Sequence, residues 1–233
     1  MKKKTMPTEL CYILGLLIIA ISVCLMEKAD FGVSMVVAPA YVIYRKLSLL
    51  LPWFTFGMAE YLTQEILLFL LIFILRHAQI SYLLSFLTAV IYGLILDGCM
   101  ALTAFLPCNF LWQRILYFLL GAPLGAAGVS LIFHSYLSPE VYELFVKEIS
   151  RFHHFDIHKV KTVYDICSAV SAFILSIIFF GFGEFVGINF GTVICALANG
   201  WLISRFTVIY EKTFEFKDFL PWRDFFLKGE KEI

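Results

Sequence analysis

Charge is scarce in this chain, and neither sign is in excess. Only 15% of its 233 residues are Asp, Glu, Lys or Arg, with 18 basic and 18 acidic side chains. A water-soluble domain usually carries about 25% charged residues, so the 61% hydrophobic content exceeds what one water-facing core could hide. An ordinary cytosolic enzyme is excluded. The lack of a Lys and Arg excess argues against nucleic acid as a partner, because phosphate recognition needs one.

Short-range chemistry is also missing. Cys11, Cys24, Cys99, Cys108, Cys167 and Cys195 include no closely spaced pair, so neither a disulfide framework nor a zinc site is expected. The chain contains no Gly-rich phosphate loop of the Walker type and no Gly-x-Ser-x-Gly elbow. His154 and His158 share a helical spacing, but Asp156 stands between them where a zincin would place its Glu nearby. No catalytic constellation, cofactor or metal is therefore expected, and the chain reads as a non-enzyme.

What the chain has is long apolar runs. They cover Leu10 to Met26, Phe54 to Leu75, Ser81 to Leu106, Ile115 to Leu137, Val163 to Phe182 and Ile188 to Phe206. A bilayer core takes about 20 apolar helical residues to cross, and only helices or closed barrels satisfy the backbone in lipid. The runs are continuous rather than alternating, which disfavours a barrel. Glu27 and Lys28 follow the first run in place of a small-residue cleavage site, so it reads as an uncleaved helix.

Two segments are ambiguous. Residues 32–51 contain Pro39 and end on Tyr44-Arg45-Lys46; residues 139–161 are amphipathic and too polar to face lipid. The expected fold is all-α and polytopic, with six transmembrane helices plus two re-entrant or interfacial segments, or eight spans if both cross. With six spans, 14 basic residues lie inside against 4 outside; with eight, 15 against 3. Both satisfy the positive-inside rule, and both put the two termini in the cytoplasm of a plasma (bacterial inner) membrane.

A shift of 106 positions aligns Leu14-Gly15 with Leu120-Gly121, Ala20 with Ala126, Val23 with Val129 and Leu25 with Leu131. Each half reads helix, ambiguous segment with a proline, then two helices. The organisation expected is a first repeat over 1–107, a second over 108–206 and a cytoplasmic amphipathic tail over 207–233. In that tail Phe214, Phe216, Phe219, Trp222, Phe225 and Phe226 interleave with Lys212, Lys217, Arg223 and Lys228, the composition of an interfacial helix. Repeats are a known route to transporter architecture, with the site near the midplane where helices are broken.

Thirty of the 36 charges sit in flanks, loops and tail; the rest are Glu60, Glu65, Arg76, Asp97, Arg114 and Glu184. Asp97, in the middle of an apolar run between Gly93 and Gly98, is the first candidate for a substrate or proton site, with a helix cap as the alternative. Glu60 and Gln64 share a helix face, and Glu65 lies a fraction of a turn away. Asp165 opens the run at Val163, where an acid also suits a helix dipole. Thr192 and Asn199, in Gly191-Thr192 and Asn199-Gly200, bracket the last run; Asn199 could face the same cavity as Asp97 or serve close packing.

The strings Gly32-Val33-Ser34, Gly93 to Asp97, Gly128-Val129-Ser130-Leu131, Lys159-Val160-Lys161 with Tyr164-Asp165, and Gly191-Thr192 with Asn199-Gly200 resemble the YczE-like or YitT-like family of uncharacterised bacterial integral membrane proteins. Ile188-Asn189-Phe190 stands where that family usually places a charge before the Gly-Thr pair. The resemblance implies a small multi-helix membrane protein, often described as a transporter. The leading expectation is a small-solute or ion transporter with a pseudo-symmetric central cavity. Its partners would be the lipid bilayer, a small solute or cation, and a second copy or membrane partner protein. The alternative is a non-transporting assembly, sensor or accessory protein.

Overall fold

The computed structural model describes residues 3–183 and 185–221, apart from the side chains of Ile80 and His158. Glu184 and the tail aromatics from Trp222 onward lie outside the described residues, as does the His158 half of the His154/His158 pair. Strand β1 (Lys4–Pro7) leads into α1 (Thr8–Ala29), followed by α2 (Ala38–Leu50), α3 (Phe56–Leu75) and α4 (Ile80–Thr103). Then come α5 (Leu111–Ile132), α6 (Val141–His153), α7 (Ile157–Phe180), α8 (Phe190–Thr213) and β2 (Phe214–Lys217). Among the described residues, six helices are long and apolar enough to cross a membrane. The protein is an all-α, multi-pass membrane protein.

Local sequence accounts for several helix ends. Asp30, Arg76 and His154 adopt left-handed conformations that close α1, α3 and α6. Thr55 accepts Met58 N–H and caps α3. The Asn189 side chain accepts Phe190 N–H at the start of α8. Asp156 accepts Lys159 N–H at the start of α7. That cap corrects one expectation: α7 begins at Ile157 rather than Val163, so Asp165 sits in its third turn and does not cap it. Likewise α8 runs on to Thr213, which leaves Asn199 and Gly200 in its interior rather than at its edge.

The bundle is organised around α1 and α5, which pack antiparallel through small residues. A Cβ on Gly15 would lie 3.0 Å from the Gly128 carbonyl oxygen, and one on Gly121 would lie 3.1 Å from that of Ser22. Ser22 Oγ also donates to the Gly121 carbonyl at 2.7 Å. At the shift of 106 that relates Gly15 to Gly121, Ser22 corresponds to Gly128. Under that shift the Gly15–Gly128 contact maps onto the Gly121–Ser22 contact. Arg114 at the start of α5 donates to the Ala29 carbonyl and pairs with Asp30 at 2.9 Å, closing the end of α1.

The two ambiguous segments form the short helices α2 and α6, and each packs between α3 and α7, one a sequence neighbour and the other distant in the chain. Helix α6 lies along α3, and α2 lies along α7. Val141 N–H donates to Gln64 Oε1 at 3.1 Å, and Gln64 is the ninth of the twenty residues of α3. Ser168 Oγ donates to the Met35 carbonyl just before α2 at 2.9 Å, and Ser168 is the twelfth of the 24 residues of α7. Both short helices thus begin at the mid-depth of a spanning helix. Helix α6 runs out towards Leu75 and Tyr82, packing Leu144 there, at the end of the bundle that carries the β1–β2 pair. Helix α2 runs the other way, with Lys46 Nζ reaching the Phe179 carbonyl at 2.9 Å.

The chain ends meet in a two-stranded parallel pair, Lys4 opposite Phe214 through Pro7 opposite Lys217. Beside it the Glu9 carboxylate accepts the backbone N–H groups of Phe219 and Leu220 and the Tyr136 hydroxyl. Of the expected tail, residues 207–213 complete α8 and residues 214–220 form strand and clamp, where the composition suggests an interfacial helix.

Candidate functional site

The N-terminus of α6 is inserted among polar groups at the centre of the bundle. Glu60 and Gln64, four residues apart on α3, are both 0% exposed. The Tyr142 hydroxyl donates to Glu60 Oε2 at 2.9 Å. Gln64 Nε2 donates to Glu140 Oε2 at 3.3 Å while its Oε1 accepts Val141 N–H. Gln64 thus does two things at once: it caps the first turn of α6 and holds the Glu140 carboxyl against the helix that carries Glu60. Tyr92 of α4 interacts electrostatically with both Glu60 and Glu140.

Glu140 sits just ahead of the first turn of α6 and is buried. Burial pushes its carboxyl well above the usual carboxylate range, reinforced by the negative charges of Glu143 and Glu60; Gln64 and Lys161 act the other way. A carboxyl raised in the folded state binds more protons folded than unfolded over the interval between the two values. Its stabilising contribution is complete below the unfolded value and is lost as pH rises through the folded one. We expect the melting temperature of the purified protein in detergent to fall from mildly acid to alkaline pH. Glu140→Gln flattens that fall; an unchanged slope in this variant would remove Glu140 as its source.

The sequence candidates divide into three groups. Glu60 and Gln64 belong to the cluster. Asp165 lies at its edge, paired with Lys161 at 3.2 Å, while Glu143 lies 4.0 Å from the same lysine. Glu65 is half-buried and makes no hydrogen bond or ion pair with another described residue. Asp97 is engaged elsewhere: its Oδ1 accepts Gly57 N–H and its Oδ2 accepts the Thr55 hydroxyl, both at 2.7 Å, so it caps α3 from α4. Thr192 is buried at the start of α8, where its hydroxyl donates to the Val33 carbonyl at 2.8 Å. Asn199 is half-buried on α8, which packs chiefly on α5. Asp97, Thr192 and Asn199 do not converge with Glu60.

Glu140, Tyr142 and Tyr92 complete the cluster and are absent from the sequence candidates. Glu140 follows Pro139 and precedes an apolar, helix-spaced run from Val141 to Val146, an acid-at-helix-start signal. A cavity of about 230 Å³ lies at the outer end of the same helix pair, lined by Leu75, His77, Tyr82, Glu148, Arg151 and Phe152. Leu71 and Leu144 pack with Leu75 and Tyr82 of the cavity wall.

The chain matches the model of a family of unknown function, DUF6198, over residues 6–208. It belongs to that family. The match takes in all eight helices except the last turn of α8, and with them every residue of the cluster. No curated protein and no solved structure matches the chain. The likeness to YczE-like or YitT-like proteins stands as a resemblance beside this membership.

Proposed function

We propose that this DUF6198 member is a small-solute or ion transporter built from two inverted halves, with its site where α6 meets α3. The observation that carries the reading is the exchange of short helices, each starting at the mid-depth of the other half's spanning helix. Transporters commonly place their sites at such interrupted helices, whose N-termini aim partial positive charge at the midplane. The twice-made contact of α1 with α5 supports an inverted relation between the halves, because the two helices are antiparallel. In this reading the chain catalyses no covalent chemistry, and it sits in a plasma membrane with both termini cytoplasmic, as the basic residues indicate.

Thiol access at the two helix starts tests it. Ser138→Cys and Ser34→Cys, each in a chain whose six native cysteines are replaced, are treated in sealed vesicles with a membrane-impermeant thiol reagent. Transport predicts labelling of Ser138→Cys from the side of the chain ends and of Ser34→Cys from the opposite side. If both stay unlabelled in folded protein, the bundle has no water-filled approach and the reading fails.

The Glu9 clamp favours the non-transporting alternative. It holds the chain beyond β2 against the bundle, as a docking element would be held. Deleting residues 214–233 then abolishes function in cells while Glu60→Gln leaves it intact; transport predicts the reverse order of severity.

A further inference from the structure

We propose that Glu60 and Glu140 together hold one shared proton, delivered from the side of the chain ends along a ladder of hydroxyls on α4. This rests on the reading of the α3–α6 junction as the site, and it names the ion bound there.

Charge balance around the pair limits it to one negative charge. Glu60 and Glu140, 0% and 8% exposed, interact electrostatically across the α3–α6 junction with little positive charge to balance them. The helix N-terminus supplies about half an elementary charge. Lys161 of α7 acts on Glu140 but is already paired with Asp165 and lies near Glu143. The other ionisable groups around the pair are Tyr142 on α6, Tyr92 on α4, Tyr164 on α7 and Tyr12 on α1, none of them cationic. Such a setting supports one carboxylate and not two, so the pair titrates as a unit that keeps one proton.

Unpartnered polar atoms mark the route. Glu60 Oε1, Tyr92 Oη and Ser85 Oγ are all buried with no hydrogen-bond partner among the described residues. The same holds of Glu27 Oε2, away from the junction, and of Asp165 Oδ1, which is ion-paired with Lys161. Buried polar atoms in folded proteins are almost always satisfied, so the three on α3 and α4 mark the place of something that hydrogen-bonds, water or hydrated proton. Their arrangement gives the direction. Tyr82, Ser85, Ala89 and Tyr92 recur at helical spacing on one buried face of α4. The outermost, Tyr82, donates to Glu148 Oε2 at 2.9 Å beside the cavity. The innermost, Tyr92, reaches the field of both carboxyl groups. Ten residues of helix separate them, about 15 Å of path, with the small Ala89 at the one rung that has no hydroxyl.

Dicyclohexylcarbodiimide, which adds only to protonated carboxyl groups in apolar surroundings, tests this with the full-length protein in native membranes. Peptide mass mapping is expected to find one adduct per chain, on Glu60 or Glu140 but not both, and its yield is expected to fall as pH rises. In Glu60→Gln the lone Glu140 loses its acidic neighbour, and the midpoint of its labelling moves down by roughly one unit or more. Ser85→Val and Tyr92→Phe keep the final yield but slow hydrogen–deuterium exchange at the carboxyl several-fold, read from its infrared band. That band also tests unmodified protein without relying on any variant's folding. Two adducts per chain, a midpoint unmoved in Glu60→Gln, or neither adduct nor protonated-carboxyl band at neutral pH would overturn the proposal. So would sodium protection at constant pH with no pH dependence, which makes this a sodium site. Proton occupancy needs no transport, so this experiment can fail while the thiol-access test succeeds, or the reverse.

Discussion

Replacing Gly57 by leucine is expected to remove a large share of the protein's stability, while the same change at Gly98 is nearly silent. The contrast follows from what a side chain would meet. A Cβ on Gly57 would overlap the Gly93 carbonyl oxygen and lie 2.7 Å from the Asp97 carboxyl carbon. A Cβ on Gly93 would in turn lie 2.7 Å from the Gly57 carbonyl oxygen. The obstacle is backbone, which cannot rotate away as a side-chain tip can. Relief requires α3 and α4 to separate along a contact that carries the Asp97 cap. Overpacking a tight core typically costs about 1–3 kcal/mol and occasionally more, and an immovable neighbour places Gly57→Leu at the upper end, about 3 kcal/mol. Against a total stability of roughly 5–15 kcal/mol that is a large share. A Cβ on Gly98 would have nothing within 4 Å of it, so Gly98→Leu is expected to stay within about 0.5 kcal/mol. Unfolding curves of the two variants in detergent decide it; equal losses would mean that α3 and α4 are not in the contact described.

The same helix pair shows how far the sequence can be read. Six spans are legible because the charges cluster between apolar runs, and the bilayer sets the length of a run. The short helices are legible only as ambiguities. Hydropathy averages over a segment, and α6 is polar enough to look like a loop although Val141, Tyr142, Leu144, Val146 and Glu148 are all buried. It escapes lipid by packing on α3, α4 and α7, a tertiary fact that composition does not carry. Glu140 is hidden for the same reason, counting among the loop charges although it reaches mid-depth. Tyr92 is hidden because tyrosine inside an apolar run reads as core until its hydroxyl is seen to lack a partner. Glu60 and Gln64 are legible because two polar residues four apart in an apolar run must share a buried face. Asp165 reads as a cap only while α7 is taken to start at Val163, six residues past the Ile157 at which the Asp156 cap begins it.

Asp97 is where position in the sequence and role in the structure part most clearly, and it yields the second large effect. An acid inside a spanning helix, as Asp97 is in the last third of α4, faces the bundle interior because exposure to lipid costs too much. That holds whether the acid binds a solute or a neighbouring backbone, so the sequence leaves both open. Here both oxygens are taken, one by Gly57 N–H and one by Thr55, at the end of α3 whose first N–H groups have no partners within the helix. Hydrogen bonds to a charged group contribute about 1.5–3 kcal/mol each. Asp97→Ala is therefore expected to destabilise the protein by about 3 kcal/mol or more. Asp97→Asn keeps an acceptor for Gly57 N–H but presents an amide N–H₂ or a weaker acceptor to Thr55, and is expected to lose about half as much. A capping role adds a coupling a ligand site would lack: Thr55→Ala and Asp97→Ala together should cost less than the sum of the two, by about 1 kcal/mol. It also predicts that Asp97→Asn leaves the carbodiimide labelling of the Glu60–Glu140 pair at its original pH midpoint. Strict additivity with Thr55, or a shifted midpoint, would return Asp97 to the functional site and separate it from the cap.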